Sequence, residues 1–346
     1  MSETQGKPSR IGTIMFRMIG LLLLTLSFGG AWLIMDFQSF RESPVNIPQQ
    51  GARLVVPPGS SLNSVAANLA RQNIIDHPRY LIWMGRYLKL DANIKAGEFN
   101  LQPDTTPEQL LQQLTGGKVV QYSLTLIEGQ TFDEMMQRIE QNKLLQHRLE
   151  TSSPEAVMAA IGYPGLHPEG RFLPETYHFP RGFSDLDFLR RAYADMDDFL
   201  HNAWNNRQAD LPLASPYEAL ILASIVEKET GVAEERARIA GVFVRRLRKG
   251  MRLQTDPTVI YGMGDLYDGD IRFRDLRRDT PYNTYTRKGL PPTPIAMPGK
   301  DAIVAVMHPA EGKELYFVAR GDGSHHFSAT LKEHERAVDR YQRKRK

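Results

Sequence analysis

The chain has 346 residues, and its 43 Lys and Arg nearly balance 40 Asp and Glu, leaving a formal charge of +3 that excludes the broad basic surface of a nucleic-acid binder. A hydrophobic share of 41% excludes wholesale disorder, and the length suits two or three domains at about 100–200 residues each. The absence of cysteine removes disulfides, thiolate nucleophiles, zinc-thiolate sites and iron–sulfur clusters together, and it permits an oxidising compartment without requiring one.

From Met18 to Met35 the sequence MIGLLLLTLSFGGAWLIM runs without a charge, close to the roughly 20 residues that carry a helix across a bilayer. A cleaved signal peptide is the alternative, but the stretch is long for one and no small-x-small cleavage site follows it. A retained single-pass anchor is therefore expected. Lys7, Arg10 and Arg17 precede it, whereas Asp36, Arg41 and Glu42 follow with opposed signs. The positive-inside rule then keeps the N-terminus cytoplasmic and sends the rest outside, with Trp32 at the outer interface. In a bacterium that is the periplasmic side of the inner membrane.

Residues 36–52 are polar and carry Pro44 and Pro48, which predicts a linker lifting the first domain off the membrane. Arg53–Val56 reads as a strand, and Ser60 or Ser61 caps a helix bearing Leu62, Val65, Ala66 and Leu69. A second helix is expected around Pro78–Leu88 and a strand over Gly97–Leu101. Thr106-Pro107-Glu108 opens a third helix that stops at Gly116-Gly117, and Val119–Leu126 alternates like a strand. Residues 53–121 thus form a small binding or spacer module. Residues 122–212 predict a helical region with helices over Phe132–Leu145, Pro154–Ile161 and Asp185–Trp204. The aromatic, proline-bearing stretch Glu169–Tyr177 between them reads as a well-packed loop. A basic tail over 341–346 ends the chain.

Ser215-Pro216-Tyr217-Glu218 has the form of a capping box, and Gly231 follows Thr230 as a stop, which together define one helix of about 15 residues. At about 100° per residue, Glu229 falls about 20° from Leu222, inside the stripe formed with Ile221, Ile225 and Val226. Glu227 falls about 140° away and reads as a solvated surface charge, while Glu218 serves the cap. A carboxyl on a buried face loses hydration, so its pKa rises. The negative end of the helix dipole acts in the same direction. Glu229 is therefore either a proton donor suited to a glycosidic oxygen or a buried charge neutralised by Arg236, Arg238 or the Arg245-Arg246 pair.

Three blocks carry a resemblance: Ala223–Thr230 (ASIVEKET), Gly250–Gly262 (GMRLQTDPTVIYG), and Tyr282-Asn283-Thr284-Tyr285 followed by Gly289-Leu290-Pro291-Pro292. In order and spacing the chain resembles the endolytic murein transglycosylase family, strongly over Pro216–His326 and more loosely over Arg53–Leu211. The resemblance implies a single-pass inner-membrane enzyme of α+β fold with a LysM-like module near the membrane. It also implies a mixed α+β catalytic domain, here 213–340, acting on peptidoglycan glycan strands. It assigns the catalytic acid to Glu229, the glutamate before the threonine, which agrees with the wheel. The implied reaction cuts the β-1,4 bond between N-acetylmuramic acid and N-acetylglucosamine and leaves 1,6-anhydro ends. It further suggests termination of glycan elongation alongside peptidoglycan synthases.

Around that acid, Gln254-Thr255-Asp256-Pro257 forms a polar turn in which Asp256 is either a second carboxyl of the site or a turn and helix cap. Asn283 and Tyr285 are expected to contact sugar, and Tyr261 and the proline-rich Gly289–Gly299 to wall the cleft, so Gln254, Thr255, Asp256, Tyr261, Asn283 and Tyr285 are the candidate substrate residues. Glu234–Lys249 is a helix whose late arginines are chiefly structural, with a weaker claim on acidic peptide stems. His308, His325 and His326 lack metal-ligand spacing, and no phosphate loop, nucleophile elbow or dinucleotide fingerprint occurs, so neither metal nor cofactor is expected. Leu315–Ala319 and the stretch through Phe327 read as a hairpin. Two alternatives remain, a hydrolytic muramidase using Glu229 with Asp256 and a non-catalytic glycan-binding scaffold.

Overall fold

The structure is a computed structural model that describes residues 10–343. The expected cytoplasmic tail before Arg10 and the last basic residues, Lys344–Lys346, lie outside the described residues. The chain is mixed α+β and divides into two units. The first holds the described residues up to Gln121 with Pro180–Gly182, and the second Tyr122–Phe179 and the described residues from Phe183 on.

The first unit begins with α1, Arg10–Glu42, whose stretch Ile14–Glu42 is long and apolar enough to cross a membrane, with a mean hydropathy of 2.0 over an 18-residue window. Then come β1 (Ala52–Val56), α2 (Leu62–Arg71), α3 (Pro78–Tyr87), β2 (Gly97–Leu101) and α4 (Pro107–Gly116). The two strands pair antiparallel, Ala52 opposite Leu101 and Val56 opposite Gly97. Their inward residues Leu54, Val56, Phe99 and Leu101 close over Leu62, Leu69, Leu81 and Leu111 from the helices. Ser61 caps α2 by accepting from Ser64 N, and Thr106 with Gln109 forms a reciprocal capping box on α4. A side chain at Gly85 would meet Leu62 Cδ2 at 2.3 Å, so glycine lets α3 approach α2 closely.

The expected linker is not a linker in the structure. Helix α1 runs on to Glu42, Asp36 accepts a hydrogen bond from Tyr80 Oη at 2.6 Å, and Phe37 and Phe40 meet the Tyr80 ring edge-on. Val45 is buried, and its N–H donates to Thr105 O while Asn46 N–H donates to Ile74 O. Polarity and two prolines resembled a tether, but the apolar residues at 37, 40 and 45 tie this stretch to the module's core.

In the second unit β3 (Gln121–Thr125) pairs with β4 (Thr176–Pro180), with α5 (Phe132–Glu140), α6 (Pro154–Ile161) and α7 (Asp185–Asn205) around them. Helix α5 is shorter than the expected Phe132–Leu145, because Asn142 Oδ1 accepts from Leu144 N in the turn that ends it. Then follow α8 (Pro216–Glu229), α9 (Ala233–Arg248), α10 (Asp256–Met263), α11 (Phe273–Arg277), α12 (Lys300–Met307), the hairpin β5 (Tyr316–Ala319) with β6 (His325–Ser328), and α13 (Leu331–Tyr341).

Helix α8 is central to this unit, packed by α7, α9, α10 and α12. Every residue from Ala219 to Val226 is buried, so the helix has no solvent face beyond its ends. Ser224, in its middle, accepts a hydrogen bond from Ile295 N at 3.0 Å. The segment Gly289–Gly299, expected as a cleft wall, instead buries Ile295, Ala296 and Met297 in the core. The Glu227 reading changes for the same reason. It is half-buried, accepts from Gly299 N at 3.0 Å, and has its pKa raised by burial first of all.

Candidate active site

Glu229 is the last residue of α8. Ser215 starts that helix by accepting from Glu218 N, while the Glu218 carboxylate turns to Ala214 N rather than completing a box. Extended Thr230 stops it, so the Glu229 side chain leaves a rigid core element at a fixed point. It enters a cavity of about 490 Å³ that is also lined by Arg246, Gln254, Thr255, Asp256 and Tyr285. Tyr316, His325 and His334 line it from the hairpin and α13.

The Glu229 carboxyl is pushed up to about 7. Burial is the largest cause, and the negative charge of Asp256 adds to it; the hydroxyl hydrogen bond from Thr255 to Oε1 and the charges of His325 and Arg246 oppose it. None of the four arginines considered as neutralising partners pairs with it. Arg236 pairs with Asp301, and Arg238 and Arg245 share Glu314. Arg246 donates to the carbonyls of Leu253 and Leu315 at 2.7 Å each. Its guanidinium therefore braces the junction of α9, the 250–255 loop and β5. The acid keeps a proton near neutrality because nothing in contact with it stabilises the anion strongly enough to offset burial.

Thr255 is held as firmly as the acid it touches. Its N–H donates to Thr284 Oγ1 at 3.1 Å, and Thr258 Oγ1 lies between Thr255 O and Thr284 Oγ1 at 2.8 and 2.9 Å. Just before it, Gln254 takes a positive φ of 52°, which places a non-glycine residue in a sparsely populated backbone region at the cavity rim. Asp256 is exposed at the start of α10 and lines the cavity, where it accepts from Tyr285 Oη; the helix-cap reading does not hold, because Thr255 is the N-cap residue and Asp256 sits in the first turn.

Five of the seven candidate residues, Glu229, Gln254, Thr255, Asp256 and Tyr285, thus meet in one cavity. Tyr261 and Asn283 do not line it. Tyr261, two turns along α10, donates from Oη to Glu169 Oε2 at 3.0 Å and packs against Tyr282. Asn283 is 1% exposed; its Nδ2 donates to the carbonyls of Asp275, Leu276 and Arg278, and its Oδ1 accepts from Tyr285 N at 2.8 Å. The amide expected to greet an acetamido group is committed to holding the turn that presents Tyr285.

The sequence reading missed Tyr316, His325 and His334 as cavity residues. His325 is fixed by Glu235, whose carboxylate accepts from His325 N at 2.9 Å and lies 2.7 Å from Nδ1. Buried Glu235 on α9 at the start of an arginine-rich helix was the available signal, since a buried acid implies a partner. It also missed Glu169, which sits buried in the expected loop, accepts from Phe132 N and Tyr261 Oη, and is pushed up to about 7 by burial.

The YceG-like family model matches residues 54–340, which include the cavity and its supports. The endolytic murein transglycosylase of Bacillus subtilis strain 168 is 29% identical over 333 residues, covering 91% of each protein. The endolytic murein transglycosylase of Streptococcus pneumoniae D39 is 28% identical over 92% of this chain, which spans 63% of that longer protein. The crystal structure of a yceG-like protein from Listeria monocytogenes superposes with a TM-score of 0.51 at 28% identity, over 84% of this chain and all of that one. With the matched segment running from β1 through α13 and carrying the acid, its threonine and the hairpin behind them, this chain belongs to the YceG-like family.

Proposed function

We propose that the chain is an endolytic murein transglycosylase that cleaves the β-1,4 bond between N-acetylmuramic acid and N-acetylglucosamine. The observation that carries this reading is the Glu229 carboxyl, raised to about 7 in an open cavity and free of direct contact with a cation. Such a group donates a proton to the leaving oxygen as the C1–O4 bond breaks. The resulting carboxylate then takes the proton of the muramyl 6-hydroxyl as O6 bonds to C1. No water is consumed, and the acid is restored with a 1,6-anhydro end as product. Thr255 orients the carboxyl through its hydroxyl, and Gln254, Asp256 and Tyr285 are proposed to contact the sugar. Names given to relatives from two genera support the substrate class.

The alternative that a specific observation favours is a muramidase. Asp256 lines the same cavity as Glu229, and a hydrolase places a second carboxylate to activate water. Products decide between them. Mass spectrometry of glycan fragments released from purified peptidoglycan is expected to give anhydro-muramyl ends, and reducing ends would move the reaction to the Glu229 and Asp256 pair. The pH profile carries a second expectation. Because the free enzyme must start with Glu229 protonated, kcat/KM is expected to fall above about pH 7, approaching tenfold per unit, and to stay level on the acid side. Dependence on a second ionised carboxylate would bend the acid side down as well.

In this reading α1 anchors the protein in the inner membrane, with its basic start inside and the remainder periplasmic, and its apolar stretch supports that placement. The order β1–α2–α3–β2, two helices between paired antiparallel strands, supports a LysM-like role for residues 53–121. Residues 122–212 would brace a catalytic region over 213–340, and cutting nascent strands beside synthases would end their elongation.

A further inference from the structure

We propose that α3 is an interfacial helix, seated by its exposed C-terminal end on the phospholipid headgroups of the same bilayer that α1 enters. The inference rests on the anchor reading above.

The register between the two helices carries the argument. His77, just before α3, meets Phe40 at a ring distance of 6.3 Å. Tyr80, one turn later, lies between Phe40 at 5.6 Å and Phe37 at 5.5 Å and donates to Asp36, a residue that His77 does not reach. Advancing along α3 therefore means moving backward along α1, from Phe40 toward Asp36, the first charged residue after the apolar stretch. Helix α3 descends toward the membrane. Trp83 lies beyond Tyr80 with its ring 5.6 Å from it, and Tyr87 is seven residues further than Tyr80, about 10 Å along the helix axis. The headgroup layer is roughly 5–7 Å thick on each side of the hydrocarbon. Trp83, three residues or about 4.5 Å on from Tyr80, falls within that layer, and an inclined helix, which descends by less than its length, keeps Tyr87 there as well.

The chemistry of the exposed face suits it. Trp83 and Tyr87 are 49% and 86% exposed, although Tyr80, Leu81 and Met84 of the same helix are buried. Tryptophan and tyrosine are the side chains enriched where hydrocarbon meets water. Arg79, Arg86 and Lys89 surround them in exposed positions, and α3 itself contains no acidic residue. Basic groups beside an aromatic pair match anionic phospholipid. An aromatic face could also stack on sugar, but the descent toward Asp36 favours lipid over a glycan strand.

The test uses full-length protein in nanodiscs containing anionic phospholipid. As the chain has no cysteine, Tyr87→Cys and Leu26→Cys each give one labelling site, both at exposed positions. The same environment-sensitive fluorophore is attached, and nitroxide lipids labelled at the headgroup or deep in the acyl chain serve as quenchers. The label at 87 is expected to be quenched by headgroup nitroxide, and the label at 26 by the deep one. Quenching at 26 without quenching at 87 would overturn the inference and leave the anchor standing; no quenching at 26 would overturn both. Reversal of Arg79 and Arg86 to Glu should lower quenching at 87 about twofold or more, and quenching that survived it would overturn the part assigned to charge. Protection at 87 by soluble glycan strands, with none from lipid, would overturn the assignment in favour of sugar.

Discussion

Glu229→Gln is expected to lower kcat/KM on glycan strands by about 10²–10⁴, the range for loss of a positioned general acid, while the protein stays folded. The amide matches the carboxyl in size and can still accept from the Thr255 hydroxyl at Oε1. What it cannot do is release a proton to the leaving oxygen. The stability effect has a definite sign. Because the folded-state pKa of Glu229 is raised from 4.5 to about 7, its contribution is fully present below about pH 4.5 and is lost as pH rises through 7. The glutamine variant should therefore melt with the wild type in acid and above it in mild alkali. Fragment release followed by chromatography and thermal melting at two pH values measures both. Undiminished cleavage would remove Glu229 from the mechanism, and absence of cleavage by wild type and variant alike would return the protein to the scaffold reading.

The second large effect is expected away from the acid. Asn283→Ala removes a buried amide that donates to three carbonyls of a half-exposed turn, those of Asp275, Leu276 and Arg278, at and just past the C-terminal end of α11, and leaves Tyr285 N without its acceptor. An orphaned group costs about 1–3 kcal/mol where it stays buried and less where water reaches it, so a loss of about 1–3 kcal/mol in all is expected, read as a lower denaturation midpoint. Activity should fall too, since the 283–285 turn carries Thr284, which bonds Thr255, and Tyr285, which bonds Asp256. Asn283→Asp separates the two functions of the side chain. A carboxylate accepts from Tyr285 N but cannot donate to carbonyls, so the aspartate variant should be nearly as unstable as the alanine one. If Asn283 instead served sugar binding, KM would rise and the melting behaviour would stay put.

These two residues mark where the sequence was legible and where it was not. Helix starts were readable because Ser61, Thr106 and Ser215 announce themselves by residue type and spacing, and the structure finds each capping a helix. The C-terminal hairpin was readable from its alternation and its Gly321-Asp322-Gly323 turn. The Glu229 choice rested on a wheel that treats one helix as having one buried face, yet α8 is buried all round and Glu227 is half-buried as well. What sets the two glutamates apart is what lies beyond the helix end, Gly299 N for one and the open cavity for the other. Asn283 and Tyr261 looked like sugar-facing groups because residue type does not say where a side chain's hydrogen bonds go. His325 was invisible for a related reason, being brought to the site by Glu235 from 90 residues away.

The cavity that holds Glu229 is closed on one side by Tyr316, His325 and His334, contributed by the last elements of the chain. A polypeptide is made from its N-terminus, so α8 can be complete while that wall is still missing. Until the hairpin and α13 arrive, that side of the cavity is missing and the burial that raises the carboxyl's pKa is incomplete. The surroundings of the acid are therefore completed late, by elements that follow α8 by almost a hundred residues.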